Sequence, residues 1–279
     1  MTTQEKEVRL LTPENLVKTG PFDHADWNYR WCLGQILGRR YEQIVQWLPP
    51  HSDRLLEIGF GSGIFFPMLI EKCDVLYGID VHDRSARVHR ALSSIGIRAN
   101  LVQGSVEEIP CADRSFDCIV AASSLEFVPN IDGACSEIRR VLRPGGYFIA
   151  VTPLESPLLD AGLHLMTGES ARRDFGDRRR AVVPALRRHF VEVEKKTLRW
   201  AGIPLYCALR LTGTQPNTCG ATFRPESDPA RAQSCKILAG CGARSGGVIP
   251  PRGSPGEKRS RTKRNVRYSD ADHGMDGAD

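Results

Sequence analysis

The chain lacks any apolar run long enough to cross a membrane: none of its stretches approaches about 18 uninterrupted apolar residues. Its first residues, Met1–Glu7, are polar and mixed in charge, whereas a signal peptide is basic and then apolar. None of the nine cysteines belongs to a C-x-x-C pair or to a Cys/His cluster at metal-ligand spacing. We therefore expect a cytoplasmic protein with no membrane span, disulfide framework or metal site.

A strong charge of one sign is also absent from most of the chain. The formal net charge is +5, but residues 214–279 hold 11 Lys and Arg against 7 Asp and Glu, which leaves residues 1–213 nearly neutral. Global charge thus gives no reason to expect nucleic acid as a partner. The basic run 258–264 is interpreted as part of a solvated tail, with a tether to nucleic acid or to an anionic surface as the alternative.

Composition divides the chain into three segments. Residues 1–32 are polar with scattered aromatic side chains and are interpreted as an N-terminal cap segment. Residues 33–213 alternate short apolar runs with helical patterns, which predicts one catalytic domain. Residues 214–279 are rich in Gly, Pro, Ser and Arg and lack apolar periodicity, so they are predicted to be a disordered, low-complexity tail.

The alternation of apolar runs and helical patterns predicts the fold class. Apolar positions recur at helical spacing over 33–48 and end at a Pro-Pro pair. Strands alternating with helices imply an α/β fold with a mostly parallel sheet that is covered on both faces. The predicted strands lie near 54–59, 75–80, 98–103, 117–122, 147–152, 189–194 and 205–211.

A glycine-rich loop follows the first predicted strand. It reads E-x-G-x-G-x-G from Glu57, with glycines at 59, 61 and 63, so bare main chain can approach a ligand. A dinucleotide-binding loop reads G-x-G-x-x-G, with its third glycine one position later. The spacing therefore favours a different ligand from a nicotinamide dinucleotide.

Three further motifs follow this loop in order. Asp80 ends the second predicted strand, 21 residues after Gly59, where a carboxylate can accept hydrogen bonds from ribose hydroxyls; the alternative is that it caps the helix beginning near Ser85. The segment 104–126 follows the third strand and contains the fourth. The segment 141–152 places a Pro-Gly-Gly turn between a helix and the fifth strand.

Together these motifs, over residues 55–152, resemble class I S-adenosylmethionine-dependent methyltransferases, in particular the ubiquinone-biosynthesis-like type 11 group. The resemblance implies a doubly wound, Rossmann-like, seven-stranded sheet with an antiparallel last strand. It implies S-adenosyl-L-methionine as cofactor and transfer of its methyl group to a small-molecule acceptor by in-line displacement. The cofactor-binding positions carried over are Glu57, Gly59, Phe60, Gly61, Gly63, Asp80, Val81, Ser105, Val106 and Ser123.

Two positions depart from the family pattern. Ser105 stands where the family usually has an acidic residue, so a contact to the adenine amino group would come from its hydroxyl, a water or the backbone carbonyl. Phe127 stands where many relatives have histidine, which removes one candidate for proton chemistry. His82 is interpreted as a surface side chain.

No catalytic residue is assigned from the sequence. A base is optional for methyl transfer, and the candidates on segments expected to face the acceptor are Asp23, His24, Glu126 and His164. The arginines within 172–188 either hold an anionic acceptor or form a solvated helix face.

Two other functions remain open. The first is a protein that binds S-adenosylmethionine or S-adenosylhomocysteine without catalysis. The second is a nucleotide-dependent oxidoreductase, against which stand the glycine spacing and the lack of a Tyr-x-x-x-Lys pair. The sequence leaves the acceptor, the atom that is methylated and the oligomeric state undetermined.

Overall fold

A computed structural model describes residues 9–20, 23–155 and 178–213, apart from the side chain of Cys32. The predictions made for His164 and for the tail at 214–279 lie outside these residues.

The described chain forms one seven-stranded sheet with helices on both faces. In the order of the sheet the strands run β3-β2-β1-β4-β5-β7-β6. The strands are β1 (Ser52–Ile58), β2 (Cys73–Asp80), β3 (Asn100–Gln103), β4 (Phe116–Ala122), β5 (Leu142–Pro153), β6 (Val191–Trp200) and β7 (Ile203–Thr212). The helices are α1 (Trp31–Trp47), α2 (Phe66–Leu69), α3 (Ser85–Ser94), α4 (Ile131–Val141) and α5 (Arg178–His189).

Strand β1 lies at the centre of the parallel part of the sheet. Leu56 of β1 is in register with Tyr77 of β2 on one side and with Ile119 of β4 on the other. Strand β7 runs antiparallel to both of its neighbours, β5 and β6. The predicted fold class is therefore confirmed, including an antiparallel strand near the C-terminal end of the domain.

The core has two layers because consecutive residues of a strand face opposite sides of the sheet. Leu55 packs with α1, α2 and α3, whereas the adjacent Leu56 packs with α4 and α5. Both leucines are buried, and a parallel strand covered on both faces reads as a continuous apolar run. This burial explains why short apolar runs predicted the central strands.

One predicted connection is wrong. The segment 143–146 was expected to form a turn before the fifth strand, but α4 is followed directly by β5, which begins at Leu142. The pairing of β4 with β5 shifts register there, so the segment forms a bulged start of β5, with Gly145 at a φ of 78°. Arg143 forms an ion pair with Asp117 of β4 and so ties the bulge to the sheet.

The N-terminal segment packs on the domain. The Leu11 N–H donates a hydrogen bond to the Ile64 carbonyl at 2.9 Å, and the Leu11 side chain is buried. The Tyr29 hydroxyl donates to the Leu11 carbonyl. These contacts hold the segment beside the loop that follows β1.

Within the described ranges, no helix is long and apolar enough to span a membrane, and no cluster of three or more His, Cys, Asp or Glu is placed to hold a metal ion. Cys73, Cys118, Cys135 and Cys207 are buried free thiols that pack as small core residues. Burial raises the pKa of Cys73 and of Cys135 to about 12.

Candidate functional site

A cavity of about 490 Å³ lies at the carboxyl ends of β1, β2 and β4. In an open α/β sheet this edge is where ligands bind, since the loops that leave the strands meet there. Nine of the ten predicted cofactor-binding residues line the cavity: Glu57, Gly59, Phe60, Gly61, Asp80, Val81, Ser105, Val106 and Ser123.

The three loop glycines all have a positive φ, but they differ in what surrounds them. A Cβ at Gly59 would lie 2.3 Å from the Ser124 Cβ, so close packing requires glycine there. A Cβ at Gly61 would meet nothing within 4 Å, so the main chain at this position faces open space. Gly63 is not among the cavity-lining residues, and a Cβ there would lie 3.2 Å from Leu92 of α3.

Asp80 joins the end of β2 to the glycine loop. Its Oδ2 accepts a hydrogen bond from the Gly61 N–H at 2.8 Å, and its Oδ1 accepts one from the His82 N–H at 3.3 Å. No side chain caps the start of α3 at Ser85, so the alternative, in which Asp80 caps this helix, is wrong. Each carboxylate oxygen still has lone-pair capacity for a ligand hydroxyl.

His82 is a loop-supporting residue, and its interpretation as a surface side chain is wrong, because the side chain is only 10% exposed. Its Nδ1 accepts a hydrogen bond from the Arg84 N–H at 3.1 Å, which leaves Nε2 to donate to the Gly61 carbonyl at 3.0 Å. The ring also meets the Phe60 ring edge-on at 4.9 Å between centroids. His82 therefore binds the carbonyl of Gly61, whose N–H donates to Asp80.

Phe60 of the glycine loop and Val81 after β2 differ in exposure. The Phe60 side chain is buried against Phe66, so this residue contributes mainly its backbone to the cavity. The Val81 side chain is 71% exposed at the rim, where it offers an apolar surface to a ligand.

Glu57 places a buried carboxyl beside the loop. Only 4% of the residue is exposed, and its Oε2 has no hydrogen-bond partner among the described residues. Burial raises the pKa of Glu57 well above its ordinary value, the charge of Asp80 adds to the rise, and Arg40 opposes it. An unsatisfied buried carboxyl is costly, so a cationic ligand group at this position would be strongly favoured.

The end of β4 also faces the cavity. Ser123 has a φ of 58°, which is rare for a residue with a side chain, and its N–H donates to the Val151 carbonyl at 2.8 Å. Its Oγ is buried and has no hydrogen-bond partner among the described residues. The neighbouring Ser124 Oγ donates to the Ile58 carbonyl at 2.7 Å. A strained residue with an unused hydroxyl at a cavity is typical of a ligand site.

The Ser105 hydroxyl is already engaged. Its Oγ accepts from the Glu107 N–H at 3.1 Å and donates to the Glu107 Oε2 at 3.2 Å. Glu107 in turn accepts from the Asn130 N–H through Oε1 at 2.6 Å. The hydroxyl thus stabilises the turn after β3, beside the buried Val106.

A second wall of the cavity is formed by Trp27 of the N-terminal segment, Arg40 of α1 and Tyr206 of β7. Arg40 and Tyr206 were not predicted from the sequence. The Nη2 of Arg40 donates to the Tyr41 hydroxyl at 3.0 Å, while its buried Nε has no hydrogen-bond partner among the described residues. No motif marked these positions, because they come together only through the folded sheet.

The described part of the arginine-rich stretch does not act as one group. Arg179 lines the cavity, whereas Arg180 forms an ion pair with Glu155 at 2.6 Å. Arg188 pairs with Asp132 at 2.8 Å, outside the cavity lining. A direct role in the cavity is therefore supported for Arg179 alone among these three.

The candidates for a base differ in their environment. The Asp23 carboxylate accepts hydrogen bonds from the N–H and hydroxyl of Thr19 and from the Ala25 N–H, so it holds its own loop. His24 stacks on Trp27 with the ring centroids 4.0 Å apart. Glu126 lines the cavity while only 2% exposed, and burial raises its pKa to about 7.

The loop, the carboxylate and the cavity together define a class of protein. A glycine loop after β1, a carboxylate ending β2 and a cavity at the carboxyl edge are typical of doubly wound domains that bind a nucleoside-containing ligand. Residues 56–150 match the family described as "Methyltransferase domain". The resemblance to class I methyltransferases that was predicted from the sequence is therefore confirmed over this part of the chain.

Two curated relatives and one solved structure illustrate the similarity. The sterol 4-C-methyltransferase strm-1 of Caenorhabditis elegans is 33% identical over 134 residues, which cover 44% of this chain and 40% of that protein. The ubiquinone/menaquinone biosynthesis C-methyltransferase UbiE of Pasteurella multocida is 32% identical over 115 residues, covering 39% and 42%. The matches thus span about two-fifths of these relatives.

The crystal structure of the PH0226 protein from Pyrococcus horikoshii superposes with a TM-score of 0.52 at 14% identity. The match covers 68% of this chain and 94% of that one. At this identity the similarity concerns the fold alone.

Proposed function

We propose that the protein binds S-adenosyl-L-methionine in the cavity and transfers its methyl group to a small-molecule acceptor. The observation that carries the proposal is the open main chain at Gly61, whose N–H donates to Asp80 and whose carbonyl accepts from His82. Both curated relatives are named as methyltransferases of small molecules, a sterol in one case and quinones in the other.

The cofactor fits the polar groups of the cavity. In this proposal the Asp80 carboxylate accepts hydrogen bonds from the ribose hydroxyls, and Val81 packs on the adenine ring. The buried Glu57 carboxylate pairs with the methionine ammonium, which satisfies its unpartnered Oε2. The backbone of Ser105 and Val106 lies along the adenine edge, and the Ser123 hydroxyl meets the methionine portion.

The chemistry asks little more of the protein than alignment. The cofactor supplies a methyl group that its sulfonium already activates, so the chain has to hold an acceptor in line with the bond that breaks. Positioning of this kind is worth on the order of 7–11 kcal/mol in the best model reactions. The aromatic and charged wall formed by Trp27, Arg40 and Tyr206 is the part of the cavity that would contact the acceptor.

Calorimetric titration of the wild type and of two glycine variants tests the proposal. Gly61→Val is expected to weaken S-adenosylhomocysteine binding at least about tenfold, because its side chain enters the space that the ligand needs. Gly96→Val is the matched control: Gly96 also has a positive φ and open space around its Cβ position, but it is not a cavity-lining residue. Equal affinities in the two variants would contradict the proposed site.

Further titrations separate the alternatives. NADH is expected not to bind, whereas tight NADH binding would favour the oxidoreductase. Methyl transfer from labelled cofactor into a metabolite extract is expected for an enzyme, and cofactor binding without any transfer would favour a non-catalytic binding protein.

We also propose that the protein works in the cytoplasm. The buried free thiols of Cys73, Cys118 and Cys135 support a reducing compartment, since reduced cysteines persist there. Cell fractionation with a tagged chain tests this, and recovery of the protein outside the cytoplasmic fraction would contradict it.

A further inference from the structure

A buried carboxyl in the cavity has no use in cofactor binding as proposed above. Glu126 belongs to a 3₁₀ turn, Leu125–Phe127, that directly follows the end of β4. It lines the cavity, and its Oε2 is buried without a hydrogen-bond partner among the described residues. Because burying an unsatisfied carboxyl oxygen is costly, an unpartnered carboxyl on a cavity-lining residue points to a contact with the ligand.

The charged and titratable groups that face Glu126 come from three other elements. Arg40 of α1, Arg179 of α5 and Tyr206 of β7 line the same cavity, and all three interact electrostatically with the Glu126 carboxylate. The two arginines favour its charged form, but desolvation outweighs them and raises its pKa to about 7. The carboxyl can therefore gain and lose a proton at neutral pH, as a general base must.

We propose that Glu126 is the general base of methyl transfer and that the acceptor is a molecule whose attacking atom carries a proton. The inference rests on the proposed function and deepens it. As the electron pair of the attacking atom forms a bond to the methyl carbon, the bond from that carbon to sulfur breaks and sulfur keeps its electron pair. The proton of the attacking atom passes to the Glu126 carboxylate, so charge and atoms balance.

Three other titratable residues that line the cavity are committed elsewhere. The Asp23 carboxylate holds its loop through Thr19 and Ala25, and the His82 ring is bonded at both nitrogens to main-chain groups of the cofactor loop and the β2 end. Glu57 lies within β1 beside Asp80, where the cofactor ammonium is proposed to bind. Glu126 differs from these residues because it has no part in the proposed cofactor contacts, and it interacts electrostatically with Arg40, Arg179 and Tyr206.

The experiment compares wild type, Glu126→Gln, Glu126→Asp and the control Glu194→Gln, which changes an exposed glutamate of β6. Rates are measured from about pH 5.5 to about pH 9 with methyl-labelled S-adenosylmethionine and a metabolite extract. Cofactor-site affinity is measured by calorimetry with S-adenosylhomocysteine. The wild-type rate is expected to rise about tenfold per pH unit at low pH and to level off above about pH 7.

In Glu126→Gln the rate on the plateau is expected to fall about 100-fold or more, and the rise with pH in this range is expected to vanish. Glu126→Asp should restore part of the rate and the rise with pH, because it restores a carboxylate. S-adenosylhomocysteine affinity should stay within about twofold of wild type in all variants, since the base is proposed to contact the acceptor and not the cofactor.

Two results would overturn the base role while leaving the proposed function intact. One is a Glu126→Gln rate within a few-fold of wild type; the other is a reduced rate that keeps the wild-type pH profile, which would indicate a structural role. A wild type that binds S-adenosylhomocysteine but transfers no methyl group to any extract would instead overturn the proposed enzymatic function, and the base role with it.

Discussion

Burial of Glu126 makes a quantitative prediction about stability that needs no acceptor. The carboxyl is 2% exposed, and burial raises its pKa from 4.5 to about 7. Because the pKa is higher in the folded state, the folded protein holds this proton between the two values after the unfolded chain has released it. The stabilising contribution is fully present below pH 4.5 and is lost as the pH rises through about 7.

Replacing Glu126 by glutamine removes this titration while keeping the size of the side chain. The free energy of unfolding of the wild type, measured relative to Glu126→Gln, should fall by about 2–3 kcal/mol between about pH 5 and about pH 8.5. Other titrating groups, including the buried Glu57, cancel in this difference because both proteins contain them, provided that they do not couple to Glu126.

The assay is urea unfolding followed by circular dichroism at about six pH values, with linear extrapolation to water. Glu194→Gln is the control because it replaces a carboxylate at an exposed position of β6, and it should change the free energy of unfolding by less than about 0.5 kcal/mol. A constant difference between wild type and Glu126→Gln across the range would refute the reasoning, because it would mean that Glu126 is solvated enough to keep its ordinary pKa.

Three further predictions follow from the site and the fold. Asp80→Ala should weaken S-adenosylhomocysteine binding about 10- to 100-fold in calorimetry, since a carboxylate that holds the loop and accepts ligand hydroxyls is lost; an unchanged affinity would contradict its role. His82→Ala should weaken the same binding about 3- to 10-fold because the Gly61 carbonyl loses its donor, and equal binding would show that the loop needs no such support. Asp117→Ala should lower the free energy of unfolding by about 1–3 kcal/mol, because Arg143 loses an ion-pair partner away from the cavity. Ligand affinity should not change, and a change in affinity would show that the two regions are coupled.

The cofactor side of the cavity could be predicted from the sequence because its parts are local. Glu57 and Gly61 lie within five residues of each other, and Asp80 ends the next strand. In a doubly wound sheet these positions must meet at one edge, so a contiguous motif is enough to find them. The role of His82 was missed even so, since its bond to the Gly61 carbonyl depends on a ring orientation that the sequence does not state.

Other features depend on distant packing and could not be predicted. Gly78 lies in the middle of β2, where a Cβ would come within 2.8 Å of Phe60 and 2.9 Å of Phe66. Those two rings come from the loop and helix after β1, so only the assembled core shows why the position has to be small. The bulge at the start of β5 was missed for a similar reason, because the ion pair of Arg143 with Asp117 spans two strands.

The second wall of the cavity depends on distant packing, and Arg40 and Tyr206 were found only in the folded structure. Arg40, Glu126 and Tyr206 lie far apart in the sequence, yet each is joined to a buried neighbour, Tyr41, Leu125 or Leu205, that belongs to the core. Their positions are thus set by the packed core. Two arginines and four carboxyls line this one cavity: Arg40, Arg179, Asp23, Glu57, Asp80 and Glu126. Since apolar side chains would avoid the cost of burying charge, this set argues that ligand chemistry, and not stability, determines the lining.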